Sequence, residues 1–208
     1  MLSLIIFIPL IAALGLLMVS RDNTAMIKVI GVGAAGASFS LSLWLLFSFD
    51  TTSAEMQFVQ MFHWVPALHI NYLVGVDGIS LWMVVLTAFL GLIAILFSFN
   101  QKDGFRNFMA LMLALEAGTL GVFLALDTIL FYVFWELMLV PTYFLIGVWG
   151  EGRRVYATMK FVIFTLVGSL LMLVAILSLT MIHYGATHDV TFDLRMLTHT
   201  HIDPATQI

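Results

Sequence analysis

The 208-residue sequence contains no cysteine, which excludes disulfides, thiolate metal sites and iron–sulfur ligation by this chain. Charge is nearly as scarce. Only 10% of residues are Asp, Glu, Lys or Arg, against about 25% in soluble domains. The net charge of −4 is too small to draw a nucleic acid. The first twenty residues, MLSLIIFIPLIAALGLLMVS, lack a basic leader and a small-residue cleavage site, so they read as a retained membrane span. Apolar residues dominate, at 62% of positions. A soluble chain of this length leaves roughly 30% of its unfolded surface exposed and cannot hide that much apolar area. The sequence specifies an integral membrane protein whose first partner is the lipid bilayer.

A spanning helix needs about 20 mostly apolar residues. That rule predicts an all-α, polytopic transmembrane helix bundle over residues 1–184, with spans near 2–19, 26–49, 78–99, 105–125, 128–149 and 156–183. A polar extramembrane tail, 185–208, carries His188, His199 and His201. The connections are SRDNTA, a longer segment from Asp50 to Asp77, NQKDG, a tight turn at Leu126-Asp127, and GEGRRVYA. Arg21 and Lys28 flank the first of these, Lys102 and Arg106 the third, and Arg153, Arg154 and Lys160 the fifth. Only Arg195, in the tail, breaks the pattern. Basic residues at span ends mark the cytoplasmic side, so the amino terminus and the tail are expected on the periplasmic or intermembrane side. A bacterial inner membrane is the expected location.

Two carboxylates fall deep inside predicted helices: Glu116 in MLALEAGTLGVF and Glu136 in VFWELMLVP. They lie eleven residues before Asp127 and nine after it. At 1.5 Å per residue each is roughly 13–17 Å from that turn, near the midplane of a ~30 Å core. An antiparallel hairpin holds both at similar depth, so they could partly substitute for one another if helix rotation turns them together. An intramembrane carboxylate usually marks an ion or proton path; the alternative for Glu136 is a structural carboxyl bonded to a hydroxyl on a neighbouring helix. For Glu116 that alternative weighs equally, because Ala117 and Gly118 beside it suit close helix packing. Pro141 leaves the carbonyl of Leu137 without its helical partner, adding polarity and a kink near Glu136. Asp77 and Asp127 read as helix caps. Lys160 either snorkels to the interface or serves as a weak candidate for a proton relay. No spacing among the six His suggests a metal site.

The blocks VGVDGISLWMVVLT, LEAGTLGVFLALDTILFYVFWELMLVPTYFLIGVWG and RRVYATMKFVIFTLVGSLLML resemble the antiporter-like membrane subunits of respiratory complex I, in particular their chain M or chain 4 branch. The most specific part is FWE-x-M-L-x-P-x-Y-F-L-I-x-x-W-G, and the likeness runs from about Val74 to Tyr184. The resemblance implies a proton-translocating subunit of NADH:quinone oxidoreductase, with no complete active centre in this chain. Glu136 would be the fifth-helix glutamate that tunes a lysine on the seventh helix, which exchanges protons with a lysine on the eighth. NADH, FMN, iron–sulfur clusters and quinone would belong to other subunits, and the partners would be the other membrane-arm subunits. Such subunits carry about fourteen helices in two inverted repeats, whereas six are predicted here. The chain would therefore be a fragment or a split half, with a separate chain supplying the missing helices. The corresponding part of a multisubunit cation/proton antiporter or membrane-bound hydrogenase is an alternative, as is a structural scaffold from a truncated gene.

Overall fold

The computed structural model describes residues 1–53, 55–101 and 103–200. Six long helices account for the expected spans: α1 (Leu2–Met18), α2 (Thr24–Ser48), α3 (Gly78–Phe97), α4 (Phe105–Leu124), α5 (Thr128–Trp149) and α6 (Arg154–Thr187). Five of them are long and apolar enough to cross a membrane, and α1, with 17 residues, sits at the lower limit of about 17 that a bilayer allows. The helix starts follow from caps written in the sequence. The Asn23 side chain accepts from the Met26 N–H at 3.1 Å. Asp77 accepts from the Ser80 N–H at 2.7 Å while the Ser80 hydroxyl accepts from the Asp77 N–H, a reciprocal capping box. Inside the spans Ser and Thr hydroxyls donate to carbonyls one turn earlier, as Thr119 does to Leu115 and Thr165 to Phe161. Each is thereby satisfied without water.

α4 is the axis of the bundle. It packs against α1, α2, α3 and α5, and half of its most apolar window is buried. α6 packs on α5 alone among the long helices, leaving most of its surface for lipid or other protein. The loops sort to two ends. The Arg106 guanidinium donates to the carbonyls of Leu17 and Val19, and Trp149 Nε1 donates to the Asp103 carbonyl at 2.7 Å. These bonds gather the first, third and fifth connections, and the basic residues with them, at one end. Arg106 also closes the carboxyl end of α1, where a cation meets the negative pole of the helix. Lys28 sits 4.7 Å from the centre of the Phe99 ring at the same end. Lys102, expected here too, lies outside the described residues, as do 201–208 of the tail with His201.

The opposite end holds structure that the hydropathy pattern does not announce. The segment expected as a loop from Asp50 to Asp77 contains an antiparallel hairpin, β1 (Gln57–Val65) and β2 (Ile70–Val76), joined through a 3-10 turn and His69 at φ 55°. Its strands carry apolar residues on both faces, so the period-two signal is weak. Leu73, Val74 and Val76 of β2 are buried. Gln60 accepts from both the hydroxyl and the N–H of Ser3, and Tyr72 donates to the Ser3 hydroxyl, which ties the hairpin to the start of α1.

The link between α4 and α5 is more than a turn. Leu126 N–H donates to Leu73 on β2, while Leu194 N–H donates back to the Leu126 carbonyl and Thr128 N–H to Phe192. Residues 125–128 thus run as a short extended segment between the hairpin and the tail. α6 continues to Thr187, three residues into the expected tail, and the chain then folds back so that Thr191, Phe192 and Leu197 are buried. A one-turn helix, α7 (Leu194–Leu197), follows, its Asp193 cap paired to Arg195 at 2.6 Å.

Candidate functional site

The α4–α5 contact fixes where the two mid-span carboxylates, Glu116 buried and Glu136 half-buried, point. A Cβ added to Gly118 would lie 2.7 Å from Met138 Cγ, and one added to Gly121 would collide with the Phe134 ring. Glycine at these positions therefore lets the helices approach closely. Gly118, Gly121, Phe134 and Met138 define the shared face. Glu116 is two residues before Gly118, and Glu136 is two residues from both Phe134 and Met138. Two residues turn a helix by about 200°. Both carboxylates therefore leave the shared face in opposite directions, and the hairpin does not bring them together. The expectation that they could substitute for one another loses its geometric basis.

Glu116 projects onto α3. It is 5% exposed, and a Cβ on Gly91 would lie 2.6 Å from its carboxyl carbon and 2.9 and 3.0 Å from its oxygens. Gly91 is thus the cradle of this carboxyl. Glu136 occupies the α6 side of α5. Tyr132, one turn earlier on the same stripe, has its hydroxyl beside both the Glu136 carboxyl and Ser169 of α6. Both oxygens of Glu116 and Oε1 of Glu136 are buried without a protein hydrogen-bond partner among the described residues. Buried polar atoms are paired in the great majority of cases, so three orphans on two mid-span carboxyls single these residues out.

No cation in the described residues neutralises either group; the ion pair found there is Arg195–Asp193. Lys160 is exposed, with its ammonium 5.7 Å from the centre of the Tyr156 ring. Antiparallel packing of α5 and α6 sets Lys160 level with residue 143, about 10 Å along the axis from Glu136. It lies where a snorkelling lysine would, away from both carboxyls. Arg153 and Arg154 are exposed at the basic end. α5 runs unbroken through Pro141, with the Thr142 hydroxyl donating to the Met138 carbonyl beside it at 2.7 Å. Asp77 caps α3, and the capping N–H groups of Ser80 and Ile79 together outweigh its burial and hold its pKa below the usual value. Gly91, Tyr132 and Ser169 were not anticipated. Tyr132 had a readable signal in its i−4 spacing from Glu136; the other two depend on how helices rotate, which one sequence does not encode.

Asp127 is the knot at the far end. It is 1% exposed and accepts from the N–H groups of Ile129, Leu130 and Asn71, capping α5 and holding β2 with one carboxylate. Asp127→Ala should cost about 2–3 kcal/mol, because a cap is lost and a buried N–H is orphaned. A fall in the unfolding temperature of the purified protein in detergent is the readout, and an unchanged value would contradict the geometry. Burial raises the Asp127 pKa, the three N–H bonds oppose that, and neighbouring Asp193 adds to the rise. A carboxyl whose folded pKa exceeds its unfolded value of about 3.9 binds its proton more tightly in the fold. Its contribution to stability is greatest at acid pH and declines as pH climbs through that window. The stability difference between wild type and Asp127→Asn should shrink over the same range.

Comparison with known proteins fits this geometry. Residues 125–203 match the family described as NADH:quinone oxidoreductase/Mrp antiporter, TM. The chain is 42% identical to NADH-quinone oxidoreductase subunit M of Rhodobacter capsulatus over 92% of its own length and 38% of that protein's. It is 38% identical to F(420)H(2) dehydrogenase subunit M of Methanosarcina mazei over 94% of its own length and 39% of the relative's. These spans carry the likeness well into the first 73 residues, beyond the quoted motifs. Among solved structures, a chain of respiratory complex I from Thermus thermophilus superposes with a TM-score of 0.80 at 27% identity, over 98% of this chain and 40% of that one. The chain thus spans about two fifths of the length of the relatives it matches.

Proposed function

We propose, from the premise that this chain belongs with the antiporter-like membrane subunits of NADH:quinone oxidoreductases, that it forms one part of the proton path of a quinone-reducing respiratory assembly. The observation that supports this reading most is a pair of carboxyls near mid-membrane that carry three buried oxygens, both of Glu116 and Oε1 of Glu136, without a hydrogen-bond partner among the described residues. Such groups are costly to keep and cluster on ion and proton pathways. Glu136 faces α6, the side of the bundle left most open, so the lysine it acts on comes from helices other than the six described. Those helices lie in the remainder of the subunit, carried by the same polypeptide or by a separate one. The other membrane-arm subunits are the partners. NADH oxidation, flavin, iron–sulfur clusters and quinone reduction reside elsewhere in the assembly, and this chain contributes translocation without an active centre of its own.

Disrupting this chain in its host should abolish NADH-driven acidification of inverted membrane vesicles. NADH oxidation by a soluble artificial acceptor should persist. Undiminished acidification would overturn the proposal. A sodium-gradient-driven proton flux without any response to NADH would favour the antiporter reading, which the family description also embraces.

The orientation is the bacterial inner membrane with the basic end cytoplasmic. The absence of cysteine makes the chain a ready background for labelling. Thr51→Cys should react with a membrane-impermeant maleimide from outside intact spheroplasts, and Glu151→Cys only after permeabilisation. Both residues are exposed at opposite ends of the bundle. The reverse pattern would invert the orientation.

A further inference from the structure

The basic end holds two neighbouring cavities that share part of their lining. One, of about 550 Å³, is an apolar groove on the surface of the bundle. Its floor is α4, where Ala110 and Ala114 fall one turn apart and leave a slot; Leu14 of α1 and Phe144 of α5 form its walls. The other, of about 240 Å³, is more polar and lies between the first loop and the start of α4, with Arg21 and Thr24 in its lining. Gly104, Arg106 and Asn107 line both.

The junction is fixed in place. Arg106 Nη1 donates to Leu17 and Val19 carbonyls, and Nε and Nη2 donate to the Asn107 side chain. All these partners are neutral, so the guanidinium keeps its full charge, and no ion pair to Arg21 or Arg106 occurs among the described residues. Trp149 stands at the rim, held by its bond to Asp103 and packed over Gly104, which has a φ of 63° and where an added Cβ would lie 3.2 Å from the ring. A tryptophan at this level is an interfacial anchor. From Arg106 to Ala114 the groove descends about 12 Å, most of the roughly 15 Å depth of one leaflet.

We propose that this junction binds an anionic glycerophospholipid of the leaflet at the basic end, with its phosphate between Arg21 and Arg106 and one acyl chain in the groove over Ala110 and Ala114. The charge complementarity selects an anion, and the apolar groove selects a lipid over a free phosphate. Nothing in this assignment depends on the proton-path reading.

Native mass spectrometry of the full chain in detergent, titrated with phosphatidylglycerol or phosphatidylcholine, provides the test. Phosphatidylglycerol should bind roughly tenfold or more tightly than phosphatidylcholine, given about 1 kcal/mol per basic residue near the headgroup. Arg21→Gln should erase about fivefold of that preference. Leu14→Trp, which fills the groove from an exposed position, should weaken both lipids, whereas Leu171→Trp on the exposed face of α6 should weaken neither. Glycerol 3-phosphate should fail to compete. Equal binding of the two lipids, displacement by glycerol 3-phosphate, or an inert Leu14→Trp would each overturn the assignment. Leu14 and Arg21 are both exposed, so these variants leave the packed interior intact.

Discussion

In the complete respiratory assembly, Glu136→Gln is expected to lower proton pumping and coupled quinone reduction by roughly tenfold or more while leaving the amount of assembled complex unchanged. Glutamine keeps the volume and most hydrogen-bonding capacity of the side chain and removes only its charge. A carboxylate about 6 Å from a lysine, in a medium of effective dielectric near 20, stabilises the ammonium by about 3 kcal/mol. That is about two pKa units of the lysine, enough to decide whether it holds its proton at neutral pH. Glu136→Asp keeps the charge and shortens its reach by one methylene, so its defect should be smaller. A carboxyl retained for hydrogen bonding alone predicts the opposite order, with Gln tolerated and Asp disruptive. The measurement is quinone-reductase activity and vesicle acidification, normalised to assembled complex. Full activity with Gln would remove the functional claim for Glu136, and a Tyr132→Phe variant then separates the remaining roles. If the Tyr132 hydroxyl only orients the carboxyl, Phe should lower activity less than Gln does.

The six long helices were legible because a bilayer imposes one rule on every segment, and the starts of α3 and α5 because Asp77 and Asp127 announce them as caps. The hairpin at 57–76 was not legible. At the membrane surface its strands meet apolar neighbours on both faces, and the alternation that would betray them is lost. The extended link at 125–128 and the tail folded onto it were hidden for a different reason. Their partners are 53 residues upstream and 68 downstream, as in the Leu126–Leu73 hydrogen bond and the Leu194–Leu126 one. Only the assembled helix ends bring them within reach. The candidate site was half legible. Glu116 and Glu136 stand out by type alone, and their depth follows from residue counts. Their directions needed one further fact, that Gly118 and Gly121 form the face against α5. Given that fact, the two-residue offsets turn the carboxylates apart without further information.

Glu116 provides the sharper separation of function from packing. Its two oxygens are buried with no hydrogen-bond partner among the described residues, so the fold carries the desolvation of a carboxyl and receives no hydrogen bond from them in return. An unsatisfied buried polar group costs about 1–3 kcal/mol. Replacing it with an apolar side chain of similar length should release that cost, so Glu116→Met is expected to raise stability by about 1–3 kcal/mol. The readout is a higher unfolding temperature of the purified chain in detergent. If the carboxyl serves the proton path, the same variant should lower pumping in the complete assembly. More stable and less active is the signature of a residue kept for function against the interest of the fold. A variant at Gly91 tests the same site without touching the carboxyl. The Cβ of Gly91→Ala would stand 2.6 Å from the Glu116 carboxyl carbon and must push it aside. It should therefore reduce pumping while the charge remains present. Because Glu116 faces α3 and Glu136 faces α6, the losses in a Glu116→Gln, Glu136→Gln double variant should add as free energies to within about 0.5 kcal/mol. A loss well beyond the sum would mean that the two carboxyls share a partner, which their opposite directions do not allow within this chain. Glu116→Met that is more stable and fully active would make Glu116 a tolerated defect of packing and leave Glu136 alone on the path.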